Sequence, residues 1–409
     1  MQLILNTSCK KMVQKSEIKS PMSNHGTKIM ILGCGFSGMI TALALANVGY
    51  EVTILEQKDL SSDQFFHDVR TTALTDHSKL FLEKIGLWNE VSEIAGPIID
   101  IYVVDNKSPN ILHFGQDNLA PGQIMGYIVK NDDFKKKLYS IASSHPKIHI
   151  IDKTSYQVVE NRDKCSIKLD AYANSVHSDL VIVCDGPNSS TRKQYFSSSI
   201  DKKYDQFALT FLVKHEKSHD GTAVEHFMNS GPFAILPLKN KYNSSVVWTI
   251  ESDLAKTILN LPNDEFLYLV EQNFGPFLGK VEIISEVASY PLRAYLTSKY
   301  HNKNIALIAD TAHIIHPLAG QGLNQGIKDI ESLKENLNKY GVNQKALSNY
   351  ENERKRDNND MLEITDTINV IFANNSKILH HARQTAFKAI NKIDPFKKLL
   401  IEYAMGKRK

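Results

Sequence analysis

The chain has little of what marks a disulfide scaffold, a metal centre or a membrane span. Its four cysteines, Cys9, Cys34, Cys165 and Cys184, form no Cys-x-x-Cys pair. Neither a disulfide framework nor a bound metal is therefore expected, and a reducing compartment, the cytoplasm, is the simplest location. No apolar run reaches the roughly 18 residues that a membrane-crossing helix needs. Arginine is scarce, occurring only at positions 70, 162, 192, 293, 354, 356, 383 and 408, so lysine carries the basic side of a +3 net charge. A balance that small, without a clustered basic surface, argues against a nucleic-acid partner. There is no internal repeat and no low-complexity linker. Residues 1–26 are polar and lysine-rich, without a secretory apolar core and without arginine. They are expected to be a disordered tail, with Met22 as a candidate start.

What is present suits a large soluble fold. At 409 residues the chain exceeds one ordinary core, and a hydrophobic content of 42% is that of a globular protein, so two closely packed domains are expected. Lys28 to Leu32 is a β-rich apolar run. Gly33-Cys34-Gly35-Phe36-Ser37-Gly38 follows, then a helical pattern from Met39 to Val48 and a second strand, Glu51 to Leu55, ending in Glu56. Strand, Gly-x-Gly-x-x-Gly, helix, strand and acid are the context a dinucleotide fingerprint requires. Gly33 permits the tight turn, Gly35 lets a pyrophosphate approach the backbone, and Gly38 lets helix and strand pack. Glu56 is placed to accept hydrogen bonds from an adenosine ribose. The acid favours an unphosphorylated ribose, hence NAD or FAD, and the fingerprint does not choose between them. No second such motif occurs downstream.

A second stretch, residues 305–329, has a similar shape. Ile305 to Ala309 is the length of a buried strand, and Asp310 follows at its carboxyl end, where open α/β sheets bind ligands. Pro317, Gly320 and Gly322 bring bare backbone close to a ligand, and a helix begins near Gln321 with Leu323, Ile327, Ile330 and Leu333 on its buried face. A helix N-terminus there would seat an electron-rich group. Leu180 to Cys184 is another buried strand, ending in Asp185-Gly186. Arg70 in Arg70-Thr-Thr-Ala-Leu74 would be a fixed cation near a cofactor. Residues 98–130 look like sheet, Asp132 to Ile141 a helix, Tyr156 to Ala171 a hairpin. Longer alternating strands at Phe207–Val213, Phe233–Leu238 and Ser244–Ile250 suggest a β layer able to cover a ligand. Asn263 to Phe274 reads as a helix and Val281 to Tyr290 as one more strand. After Gly341 the chain reads as helical. Ile378 to Met405 is basic and amphipathic, with Ile390, Ile393, Phe396, Leu399, Leu400 and Tyr403 opposed to Lys388, Lys392, Lys397 and Lys398. It suits either packing or a membrane surface.

Three separated elements, the glycine fingerprint with Glu56, the Asp185-Gly186 turn, and Asp310-Thr-Ala-His-Ile-Ile-His-Pro-Leu-Ala-Gly-Gln-Gly-Leu-Asn-Gln-Gly, resemble the single-Rossmann flavin hydroxylases of the para-hydroxybenzoate hydroxylase type. The chain is more closely similar to the ubiquinone-biosynthesis hydroxylases. That match adds Arg70-Thr-Thr-Ala-Leu, Gly86-Leu-Trp, Glu225-His-Phe and Gly231-Pro-Phe-Ala-Ile-Leu-Pro-Leu, and covers roughly Lys28 to Gly406. One departure is Ala309, where the family usually has glycine.

The resemblance implies an α/β fold: a single FAD-binding Rossmann-type domain with an interleaved, mostly β substrate domain and a helical C-terminus. The expected boundaries are 27–195 for the FAD-binding domain with inserted sheet segments, 196–300 for the substrate domain, 301–340 for the return, and 341–409 for the C-terminal helices. It implies that Glu56 and the 33–38 loop hold the adenosine diphosphate, Asp310 the ribityl chain, and Asp185 the cofactor loop. Gly320 belongs to the flavin-side loop. The backbone N–H groups of Gly322, Leu323 and Asn324 would face the flavin pyrimidine edge, with Pro317 on its reactive face and Arg70 across from it. His316 is a candidate catalytic residue, although it and His313 are as well read as supports, and Tyr290 and Arg293 are weaker candidates. The implied reaction is hydroxylation of a polyprenylated phenol with O2 through a flavin C4a-hydroperoxide, the electrons coming from NAD(P)H or another donor bound transiently. A halogenase reading fails because Trp88 and Trp248 cannot form Trp-x-Trp. A soluble small phenol as substrate, or a non-catalytic flavoprotein subunit of a quinone-synthesis complex, stays open, as does peripheral contact with the inner membrane.

Overall fold

The structure is a computed structural model that describes residues 26–409 apart from 106–109, 120–121, 161–164, 171–174, 229, 317–319, 373–382, 386, 388–389, 391–396, 399, 403–404 and 407–409. The expected N-terminal tail except Gly26, Pro317, and Lys388, Lys392, Ile393, Phe396, Leu399 and Tyr403 of the C-terminal segment lie outside the described residues.

Five short apolar segments form one parallel layer. In chain order they are β1 (Lys28–Leu32), β2 (Glu51–Leu55), β3 (Ile148–Ile151), β4 (Leu180–Val183) and later β10 (Ile305–Leu307), and they lie side by side as β3-β2-β1-β4-β10. Helix α1 (Phe36–Ala46) connects the first two. Ile29–Leu32 of β1 and all of β4 are buried, as expected of strands covered on both faces. The order reverses beside β1, so its carboxyl end is the topological switch point where such sheets bind ligands. The fingerprint leaves β1 there, Asp185 leaves β4 next to it, and Asp310 leaves β10 beyond that.

The second layer is a nine-stranded sheet built on β5 (Ser198–His215), β6 (Thr222–Met228), β7 (Gly231–Pro237), β8 (Asn243–Glu251) and β9 (Ala288–Thr297), in the order β9-β5-β8-β7-β6. The sequence places its start near residue 196, yet the sheet also recruits Asp100–Asp105 parallel to β6, Ile111–Phe114 beyond it, and His313–Ile314 beside β9. The anticipated single strand over 281–290 is two, Val281–Ile283 and β9. The helix expected over 132–141 extends to Asn131–Ser144. The hairpin over 156–171 is present as Tyr156–Glu160 against Cys165–Leu169.

One face of this sheet packs Leu209, Phe211 and Val213 under Phe266, Val270 and Phe274 of the Asn263–Phe274 helix. Side chains alternate along a strand, so Ala208, Thr210 and Leu212 point the other way, toward the cofactor layer. That face meets it directly: Thr71 Oγ1 donates to Ser245 Oγ at 2.9 Å. Helices α2 (Gln321–Tyr340) and α3 (Gln344–Phe372) close the far side. In the C-terminal segment Phe387, Ile401 and Met405 are buried, Arg383 donates to Asp105 Oδ2 at 3.0 Å, and Lys397 lies over the Phe114 ring. Arg383 and Lys397 thus reach the edge of the second sheet, whereas the Met405 carbonyl accepts from His77 N–H at 3.3 Å.

Candidate cofactor and active site

The glycines of the fingerprint divide by what a side chain would meet. At Gly33, with φ +99°, a Cβ would stand 2.7 Å from the Cys184 carbonyl and 2.8 Å from Asp185 Cα. At Gly38 it would stand 2.0 Å from the Gly33 carbonyl. These two are packing glycines. At Gly35 a Cβ would meet nothing within 4 Å. Gly35 is the N-cap of α1, which has no side-chain cap, so the helix N–H groups of its first turn point into that open space. Glu56 borders it, its carboxylate accepting from Cys34 N–H at 2.7 Å and Lys58 N–H at 2.9 Å. Burial, then Glu56, pushes the Cys34 thiol up to about 12, and burial also raises Cys184, so neither supplies a thiolate.

Asp185 backs the same loop. Its Oδ1 is buried without a hydrogen-bond partner among the described residues, and burial pushes its carboxyl up to about 6 against the opposing pull of Ser189 and Arg192. Such an orphan acceptor beside an uncapped helix suits a polar ligand. Arg192 itself is buried, donates to the Pro187 carbonyl at 2.7 Å, and lies 4.2 Å from the Tyr295 ring centroid, so it fastens the turn rather than facing a ligand.

The second glycine loop repeats the division. Gly320, with φ +62°, fits against Ala73, whose Cβ would be 2.9 Å from a Cβ at 320. At Gly322 a Cβ would meet nothing within 4 Å among the described residues. Helix α2 begins there with no side-chain cap, leaving the first-turn N–H groups of Gly322 and Leu323 without partners inside the helix, while the Asn324 N–H, expected to face the flavin as well, closes the first helical turn on the Gly320 carbonyl. The Asn324 side chain is occupied elsewhere: its amide donates to the Ala73 and Gly320 carbonyls and its Oδ1 accepts from Thr75 N–H and the Ser78 hydroxyl. It fastens the Thr71–Thr75 strand across the loop, so the Asn324 side chain serves packing.

Asp310 and Arg70 lie on this cleft. Asp310 is exposed to solvent yet closely surrounded by protein. Burial raises its carboxyl, while His313 and Arg70 work in the opposite direction. Arg70 pairs with Asp68 through Nε at 2.8 Å and Nη2 at 2.6 Å, and lies 4.8 Å from the Tyr290 ring centroid. Tyr290 therefore belongs to the cleft. Arg293 does not: it forks onto Asp201 at 3.0 Å.

The two histidines separate. His313 is buried, its Nε2 2.5 Å from Asp329 Oδ2. Asp329, on α2, also accepts from Arg354 Nε at 2.7 Å and from Ala309 N–H at 3.0 Å. Burial alone would raise this carboxyl, but His313 and Arg354 outweigh it and hold it below the ordinary range. The network ends on Asn358 and Tyr300, so His313 is a support for the Asp310 turn. His316 is buried against the Tyr204 ring with Nε2 3.4 Å from Gln206 Oε1, and burial pushes it down to about 4, so it is neutral at physiological pH. Sequence reasoning missed Asp329 and Arg354. Their one signal was a charged residue on the apolar side of a helix.

Ala309 adopts φ +54°, the left-handed conformation that explains why glycine is usual there. Gly326 makes the exception tolerable, because a Cβ at 326 would stand 2.7 Å from the Ala309 Cβ.

Open space at Gly35 and Gly322, two uncapped helix N-termini and an orphan carboxylate together fit a dinucleotide, and so define a dinucleotide-binding protein with a second sheet packed against the binding layer. Comparison with known proteins agrees. The FAD binding domain family matches residues 26–365. Ubiquinone hydroxylase UbiL of Rhodospirillum rubrum is 34% identical over 389 residues, 92% of this chain and 89% of the relative. The 3-demethoxyubiquinol 3-hydroxylase of Escherichia coli is 26% identical over 94% of this chain and 100% of its own. Among solved structures, p-nitrophenol 4-monooxygenase PnpA of Pseudomonas putida shares the fold with a TM-score of 0.78 at 17% identity, over 94% of this chain and 100% of that one. Klebsiella pneumoniae HpxO complexed with FAD and uric acid does so at 0.70 and 14% identity, over 91% and 97%. The chain belongs to the FAD-dependent hydroxylase family of ubiquinone biosynthesis.

Proposed function

We propose that the protein hydroxylates the aromatic ring of a polyprenylated phenol in ubiquinone biosynthesis, with Arg70, Asp310 and the Gly320–Asn324 turn around the flavin and the second sheet over the ring. One oxygen atom of O2 enters the ring, the other leaves as water, and a donor supplies two electrons. That donor is NAD(P)H or another reductant bound transiently. Bound FAD supplies the oxygen-activating chemistry.

The chain's own groups do the rest. Glu56 and the Gly33–Gly38 loop hold the ribose and pyrophosphate, and Asp185 braces the loop. Asp310 takes the ribityl hydroxyls. The N-terminus of α2 stabilises negative charge at the flavin's pyrimidine edge, where its dipole and free N–H groups are aimed. His316, neutral and buried, orients Gln206 at the margin of the substrate sheet rather than carrying a proton at physiological pH. The apolar face formed by Ala208, Leu212, Ala223 and Phe227 keeps water from the reacting ring, which protects oxygen transfer from wasteful discharge as peroxide.

The observation that carries this reading is the Thr71–Ser245 contact, which sets the apolar face of the second sheet directly over the Arg70 strand. The test is mass spectrometry of the quinone intermediates in a deletion strain. A prenylated intermediate lacking one hydroxyl should accumulate and disappear on complementation. Unchanged quinone in the deletion strain would refute the proposal.

A further inference from the structure

The face of the second sheet that looks at the cofactor carries a carboxyl which the mechanism above does not use. Glu225 lies on β6, and alternation places it on the side of Ala223 and Phe227. Its strand neighbours are Val103 on one side and Ala234 on the other. Ala234 is paired with Val247, and Val247 with Thr210. This cross-strand row lies between two rows that touch the flavin-side strand. One contains Ser245, which accepts from Thr71, and the other contains Tyr290, over which Arg70 sits. The row thus faces the space between substrate sheet and cofactor.

Glu225 makes no hydrogen bond or ion pair among the described residues, and burial alone pushes its carboxyl up to about 7. Yet it is not sealed in, since the residue keeps partial solvent access. A carboxyl surrounded by protein, open on one side and unpartnered is expensive to maintain unless something polar completes it. At the other end of the row the Thr210 hydroxyl is buried and also unpartnered. Ala234 and Val247 between them leave a shallow floor. From β6 to β5 is three strand spacings, about 14 Å, enough for one substituted aromatic ring.

We infer that Glu225 is the polar anchor of the ring pocket: its carboxyl bonds the phenolic hydroxyl of the substrate and so fixes which ring carbon is turned to the flavin. The inference rests on the proposed ring hydroxylation and deepens it. A carboxylate that accepts the phenolic hydrogen bond also increases electron density at the ring carbons ortho and para to it, which are those an electrophilic oxygen attacks.

The experiment uses the FAD-loaded full chain and measures the dissociation constants of 2-prenylphenol and its methyl ether, which cannot donate a hydrogen bond. Wild type is expected to bind the phenol about tenfold tighter, the usual yield of one hydrogen bond in an apolar setting. E225L should abolish that preference while leaving FAD content and ether binding unchanged. E225Q, whose amide carbonyl still accepts, should keep the preference within about threefold. If E225L does not fold, E225V combined with V247N, which removes the acceptor at 225 and supplies one across the floor, should shift the ring position hydroxylated. An equal preference in wild type and E225L, or an unchanged product from the double variant, overturns the anchor alone. Wild-type protein that takes up FAD but binds neither compound overturns the functional reading and the anchor together.

Discussion

His313 and Asp329 meet at 2.5 Å with both side chains buried, one in the short strand after the Asp310 turn and the other on helix α2. The contact ties the aspartate turn to the helix whose N-terminus is proposed to face the flavin, and Arg354 from α3 completes it. Removing one partner of a buried pair leaves the other without compensation. Asp329→Ala is therefore expected to cost about 3–5 kcal/mol in chemical denaturation. A loss below about 1 kcal/mol would show that the network is not structural.

The two open glycines separate folding from cofactor binding. Gly322→Leu adds a Cβ that meets nothing within 4 Å among the described residues, so the apoprotein should unfold at nearly the wild-type denaturant midpoint. FAD content after reconstitution should fall to a small fraction. Gly38→Ala is the contrast, because its Cβ would collide with the Gly33 carbonyl at 2.0 Å, and soluble folded protein should be lost. Normal flavin absorbance in Gly322→Leu would disprove the placement of the flavin.

Ala309 and Gly326 should be coupled. Gly326→Ala forces two methyl groups together and is expected to destabilise by about 1–3 kcal/mol. Ala309→Gly removes the left-handed strain, worth about 1–2 kcal/mol, against an entropic loss of about 0.5–1 kcal/mol, leaving it neutral or slightly stabilising. The double variant should recover much of the loss seen in Gly326→Ala alone. Additive effects in thermal unfolding would argue against contact.

Asp185 sets a pH dependence. Its folded carboxyl sits at about 6, above the usual carboxylate value, so between about pH 4 and 6 the folded state binds more protons than the unfolded one. This group therefore makes the apoprotein less stable as pH rises through that window. Asp185→Asn should flatten that part of the profile and raise stability at pH 7. A wild-type slope retained in the variant would assign the effect to another group.

The sequence by itself determined the cofactor half. Lys28 to Glu56 and Ile305 to Asn324 are contiguous units in which strand, glycine turn and helix follow one another. Gly38, crowded by the Gly33 carbonyl, follows that local logic, whereas Gly33 is crowded by Cys184 and Asp185 and Gly320 by Ala73, neighbours brought in by the fold. Family resemblance added Arg70 and Asp185, which are distant in sequence from both loops.

Tertiary structure decided the rest. Nothing in the spacing of Asp100–Asp105 shows that it lies parallel to β6, because strand pairing joins segments more than a hundred residues apart through backbone groups that every residue carries. The same holds for Asp329 with Arg354, for the burial that leaves His316 neutral, and for the Asn324 side chain turned to packing. Glu225 was visible only as part of a motif. Its meaning depends on which face of the sheet it occupies, and that face is chosen by strand register and by the Thr71–Ser245 contact, which exist only once the two layers have closed on each other.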